Sequence, residues 1–162
     1  MKKLILTDET IEMFGVTLHR IKAVRSFGNV KEGDLGGFVE KEDNISEDFE
    51  AWVYGNAEVW GNAKVSGNAE VSGDAKVWGN AKVSGNAKVW GNADYIVFKN
   101  WWSSGRYFTW TRSNNMWSVG CFYGTGEELI KKAYADSEKS GREYERVVRF
   151  VESILEDEKN EK

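Results

Sequence analysis

Residues 95–126 hold the side chains best suited to chemistry. Trp101, Trp102 and Trp117 offer flat π faces, Arg106 and Arg112 are planar cationic forks, and Ser103, Ser104, Thr109 and Thr111 supply hydroxyls. Lys99 adds a third cation, and the stretch contains no acid at all. Aromatic faces stack on nucleobases for about 1–3 kcal/mol each, and guanidinium groups pair with phosphate through parallel hydrogen bonds. The chemistry expected is noncovalent recognition of a small nucleotide-type ligand. The same residues have a second use. A small sheet packed on helices needs aromatics for its own core, and strand alternation sends about half of them inward. Duplex nucleic acid is not expected, because the local cation excess sits in a chain of net charge −4 and counterion release would be small.

No catalytic set accompanies these residues. His19 is the only histidine and Cys121 the only cysteine, so neither a triad nor a Cys-based metal site can be assembled, and no cofactor or metal is expected. His19 lies in a strand-like segment and reads as the partner of a nearby carboxylate. Cys121 lies in an apolar segment and reads as a small buried hydrophobe. Gly36-Gly37 is not a phosphate loop, since no G-x-x-x-x-G-K-[ST] surrounds it, and reads as a structural turn.

The elements that must position these residues fall into three blocks. Residues 1–44 read as a β cap, with short strands at KLIL and VTLHRIKAV separated by turns at DET and FG. Residues 45–94 are repetitive: from Gly55 the chain runs GNAEVW, GNAKVS, GNAEVS, GDAKVW, GNAKVS, GNAKVW. Valine recurs every six residues from Val53 to Val89, and alanine from Ala51 to Ala93, with Ile45 in the alanine phase. Val and Ala stand two apart, so both point to one face of an extended segment, and Gly-Asn or Gly-Asp supplies a corner. One such short strand cannot bury its face alone, so successive repeats must stack. Residues 95–157 read as an α+β module with strands at DYIVFK, RYFTWTR and MWSVGCFY. Two helices follow, opened by capping boxes at Thr125–Glu128 and Ser140–Glu143. Residues 158–162 read as a frayed tail.

The repeats resemble the hexapeptide-repeat family. That resemblance implies a mainly β fold: a left-handed parallel β-helix of about three coils, with three hexapeptides per coil, flanked by the N-terminal β cap and the C-terminal α+β cap. Residues 18 apart would then stack, placing Glu58, Lys76 and Asp94 in one column, Glu70 over Lys88, Lys64 over Lys82, and Trp60 over Trp78. Trp60, Trp78 and Trp90 would mark a subunit interface, and the family implies a homotrimer. The leader, His19-Arg20-Ile21-Lys22-Ala23 and then Gly33-Asp34-x-Gly36-Gly37-Phe38-Val39, resembles leaders of hexapeptide-repeat proteins of bacteria and phages. The segment Gly120-Cys121-Phe122 and Gly124-Thr125 resembles a C-terminal module attached to such repeats.

Together these features imply a noncatalytic oligomeric binding protein of phage or prophage type, acting in phage–host conflict. It would act either by sequestering a nucleotide-type ligand or by binding and blocking a host defence protein. The alternatives are an acyltransferase relative, against which stands the absence of histidine from the repeats, and a polymer-forming scaffold. No apolar run approaches the ~20 residues needed to span a membrane and no secretory signal is read, so the expected location is the cytoplasm of a bacterial host.

Overall fold

The structure is a computed structural model and describes residues 2–161. It opens with a long hairpin, β1 (Leu4–Met13) and β2 (Val16–Ala23). Phe14 and Gly15 both take positive φ, as a tight hairpin turn requires. DET does not separate two strands: β1 runs through it, with a register shift between Leu6 and Thr10. β3 (Leu35–Val39) pairs antiparallel with β2. Gly36 and Gly37 lie inside β3, where an added Cβ would come within 2.5 Å of the Val53 carbonyl and 2.3 Å of the Ala57 carbonyl. Close approach of backbones, rather than a turn, requires those two glycines.

The repeats form seven two-residue strands: β4 (Trp52–Val53), β5 (Glu58–Val59), β6 (Lys64–Val65), β7 (Glu70–Val71), β8 (Lys76–Val77), β9 (Lys82–Val83) and β10 (Lys88–Val89). Each pairs in parallel with the strand 18 residues away, as in Glu58 with Lys76, Glu70 with Lys88 and Lys64 with Lys82. The strands thus join three stacks in rotation: β4, β7 and β10; β3, β5 and β8; β6 and β9. Every repeat valine from Val53 to Val89 and every repeat alanine from Ala57 to Ala87 is buried in one cluster.

The fold class nevertheless differs from the expectation of a mainly β, left-handed parallel β-helix of about three coils. The architecture is mixed, with short strands in four separate sheets and two helices, and no closed or solenoid sheet runs through it. The physical reason lies in the repeat itself. Glycines 55, 61, 67, 73, 79 and 85 turn the chain with φ of 60–68°, leaving two residues per repeat for ladder pairing. Asp94 also departs from its expected column. It lies in a 3-10 turn, where its carboxylate accepts from the Trp90 and Gly91 backbone N–H groups.

The third block is an antiparallel sheet in the order β11 (Tyr95–Lys99), β12 (Tyr107–Thr111), β13 (Met116–Val119), β14 (Phe122–Gly124). Where one strand is expected over MWSVGCFY, Gly120 at φ +56 breaks it into two. α1 (Gly126–Asp136) begins at Thr125, whose hydroxyl accepts from the Glu128 N–H while Glu128 accepts from the Thr125 N–H. α2 (Glu138–Asn160) begins earlier than the sequence suggests. Ser137, not Ser140, is its cap, and Ser140 is the residue whose N–H that cap receives. The helix continues to Asn160 through the segment expected as a frayed tail.

The two faces of this sheet have different partners. Phe108, Trp110, Trp117 and Val119 share one face and pack against Leu129, Ile130, Tyr144, Val148 and Val151 of the helices. The other face carries hydroxyls toward the repeats. Thr109 accepts from the Lys82 N–H at 2.9 Å, and Ser118 shares a hydrogen bond with Ser84 at 2.6 Å. In the turn after β12, Ser113 accepts from the Lys88 N–H at 2.7 Å. These N–H groups belong to the last strands of two stacks, and in the third the Asn92 amide oxygen accepts from the Lys76 N–H at 3.1 Å, so side chains close an otherwise open edge.

Candidate functional site

That packing disperses the residues grouped by the sequence. Trp117, Thr109 and Thr111 are buried. Trp117 is in the helix-facing core, Thr109 caps Lys82, and Thr111 donates to Asn114 at 2.6 Å. Arg112 is neutralised: it meets Glu158 of α2, lies 3.9 Å from Asp94, and donates to the Ala93 carbonyl at 3.1 Å. Trp102 stands edge-on to Tyr144 at 4.8 Å and belongs to the core periphery. Trp101 is exposed beneath the Lys139 ammonium. Ser103 donates to Asn100 at 3.1 Å, and Ser104 accepts from the Arg106 N–H, so both hydroxyls shape their own loop. Of the expected ligand residues, Arg106 is the exposed cation that no salt bridge engages among the described residues. The expected interface tryptophans divide similarly. Trp60 is buried beside Leu18 and Phe38, whereas Trp78 and Trp90 are each 56% exposed. Cys121 is exposed in the turn between β13 and β14 rather than buried. His19 meets the Thr7 carbonyl, not a carboxylate, at 3.1 Å.

What the structure brings together lies along the seam between the repeats and the C-terminal sheet. A cleft of about 650 Å³ is bounded by Trp78, Asn80 and Asn92 of the repeats and by Tyr95 and Tyr107 of the sheet. It shares Asn80 and Tyr107 with a second cleft of about 330 Å³, which adds Asn62, Lys82 and Arg106. Asn62 and Lys82 in turn border a third, of about 450 Å³, with Lys64, Phe122 and Tyr123. The three adjoin along the seam through these shared residues, and no Asp or Glu lines any part of this seam groove.

Each wall is placed for a local reason. The corner glycines turn Trp78 and Asn80 outward, and Asn62 donates to Asn80 across one 18-residue step at 3.3 Å. Tyr95 is anchored by donating to the Lys76 carbonyl at 2.7 Å, and burial raises its pKa. Tyr123 lies over Gly85, donates to the Ser84 carbonyl and accepts from Asn114 at 2.9 Å, and burial raises its pKa as well. Both phenols therefore stay neutral donors at physiological pH. Lys99 stands 5.9 Å from the Tyr107 ring. Arg106 lies against Gly120, where a Cβ would come within 2.5 Å of its Nη1, and it also borders a cavity of about 110 Å³ beside Asp136.

The electrostatics single out one stack. Glu58 faces Lys76 at 3.8 Å and Glu70 faces Lys88 at 4.0 Å. In the third stack Lys64 faces Lys82, two cations in register. Among the described residues no salt bridge engages Lys64, Lys82 or Arg106. Like charges directly opposite one another destabilise a strand pair unless an anion intervenes. The sequence shows the Lys64–Lys82 register through the 18-residue period, but it does not show that Tyr95, Tyr107 and Tyr123 arrive at the same seam.

No protein-family model matches this chain, and a comparison with curated proteins finds no match. The resemblances drawn from the sequence rest on its own residues.

Proposed function

We propose that the protein is a noncatalytic binding protein whose seam groove takes a nucleotide-type ligand. The observation that carries this reading is the Lys64–Lys82 pair, stacked in register, unpaired, and facing a groove without acids. Phosphate between these ammonium groups and Arg106 would relieve their repulsion, and charge-assisted hydrogen bonds of this kind are worth about 1.5–3 kcal/mol. Trp78, Tyr95 and Tyr107 supply aromatic surface for a base, at about 1–3 kcal/mol for a stacked ring. The groove's lining carries amides, hydroxyls, cations and the Cys121 thiol, groups suited to hydrogen bonding and to holding an anion.

Sequestration of a nucleotide signal in phage–host conflict remains the biological setting proposed, on the strength of the leader and C-terminal resemblances. Self-association, with a homotrimer as the expected state, is supported by the exposed Trp90 and is tested by light scattering of the purified protein. The binding reading is tested by isothermal titration with AMP, ADP and ATP. Binding is expected, and Lys82→Ala and Tyr107→Ala should each weaken it by about tenfold, the equivalent of one charge-assisted contact or one stacked ring. Silence toward all three nucleotides, or unchanged affinity in both variants, would overturn it.

A further inference from the structure

The groove has two aromatic ends, not one. Trp78, Tyr95 and Tyr107 line the first, and Tyr123 lines the other, while Phe122 borders it from the helix-facing core. Between them run the cations: Arg106 and Lys82 border the middle cleft, and Lys82 and Lys64 border the last. The first end alone, at about 650 Å³, already falls within the roughly 300–1,000 Å³ typical of a small-ligand site. A single nucleotide would leave the second aromatic end unused.

Resting on the reading above, we infer that the groove takes a dinucleotide, with one base at the Trp78–Tyr107 end, the other at the Tyr123 end, and the linking phosphate on Arg106, Lys82 and Lys64. The order aromatic, basic, aromatic along the adjoining clefts mirrors base, phosphate, base. Polar groups at both ends suit base edges. The Asn62–Asn80 amide pair leaves one NH2 and one carbonyl unused, and Ser66 lines the far end. A long single strand fits less well, because the chain is net acidic at −4 and the aromatic surface ends at Tyr123.

The test is isothermal titration of the full chain with AMP, with linear pApA, with cyclic di-AMP, and with a twelve-residue oligo-dA. At least one of the two dinucleotides should bind about tenfold or more tighter than AMP, the gain expected of one further stacked base. Which of the two binds tighter distinguishes a linear from a cyclic source of the same chemistry. Tyr123→Leu, which alters only the second aromatic end, should cut the dinucleotide advantage over AMP to about twofold or less. If AMP binds as tightly as both dinucleotides, the dinucleotide inference fails while the nucleotide reading stands. If nothing binds, both fail. If oligo-dA binds tighter than either dinucleotide, the groove belongs to a strand and the inference is overturned.

Discussion

Lys64 and Lys82 owe their position to the repeat and their isolation to the lysine that replaces a glutamate at position 64. In the equivalent positions of the other stacks, Glu58 and Glu70 face lysines. Lys64→Glu should therefore stabilise the protein by about 0.2–1 kcal/mol, the usual scale of a cross-strand charge pair, while weakening nucleotide affinity by more than tenfold. Urea denaturation and titration calorimetry on one preparation check both halves. A variant that is more stable and still binds would separate the lysine pair from the ligand. At this scale the sequence was informative about the repeats and misleading about the aromatics. Val53 to Val89 had to be inward, since each strand has one apolar face. Thr109, Thr111 and Trp117 looked equally available, yet β12 and β13 lie between helices on one side and repeats on the other, and so bury both faces. No local pattern announces which strand of a sheet will be doubly covered. Lys82 and Thr109 are 27 residues apart and meet only in the folded chain.

The elements explain why the corners are glycine and why they are not equivalent. Gly67 and Gly79 share the same left-handed backbone, with φ of 63° and 68°. An added Cβ at Gly79 meets nothing within 4 Å, but at Gly67 it comes within 2.9 Å of the Gly85 N. Gly79→Ala should cost about 1–2 kcal/mol, the left-handed backbone penalty alone. Gly67→Ala should cost more, because two backbones must also separate. Denaturation midpoints of the two variants give the comparison, and equal losses would show that the close approach relaxes freely. At the other end of the chain, the Thr125 cap was legible as a motif and forms as written. The apparent motif at Ser140 was overridden because Ser137 reaches the α2 N-terminus first. A capping motif states that a helix can begin, and competition with an earlier cap decides whether it does.

At the scale of the whole molecule, one buried charge ties the first strand to the first repeat. Lys3 is fully buried and donates to the Ala51 carbonyl at 2.7 Å, with its ammonium 4.7 Å from the Phe27 ring. Burial, and then the neighbouring Arg25 cation, lower its pKa from the usual 10.5 to about 8, against partial support from Asp48 and Glu47. The folded state thus holds this proton more weakly than the unfolded chain. Below about pH 8 the cost of the buried cation is fully present, and it is relieved as pH rises toward 10.5. Stability of the wild type relative to Lys3→Met should therefore rise between pH 8 and about pH 9.5, below the range in which Tyr54, Tyr95 and Tyr123, all with raised pKa, begin to oppose it. Urea midpoints across that range are the measurement, and parallel profiles would refute it.

The rotation of strands among three stacks has a consequence for heredity. GNAKVS and GNAKVW differ in one residue, and wherever a gene encodes such repeats with like codons it can slip during replication and lose or gain one unit of six codons. A loss of one unit would bring the wrong stack to the hydroxyl face of the C-terminal sheet, leave Thr109 and Ser118 without their partners, and remove Lys82 from the seam. A gain of three units together, 18 residues, brings the same stack back to that face, whereas a loss of three would leave the third stack one strand and no lysine pair. Length variants that still bind should therefore exceed this chain by whole multiples of 18 residues, even though the message slips by six.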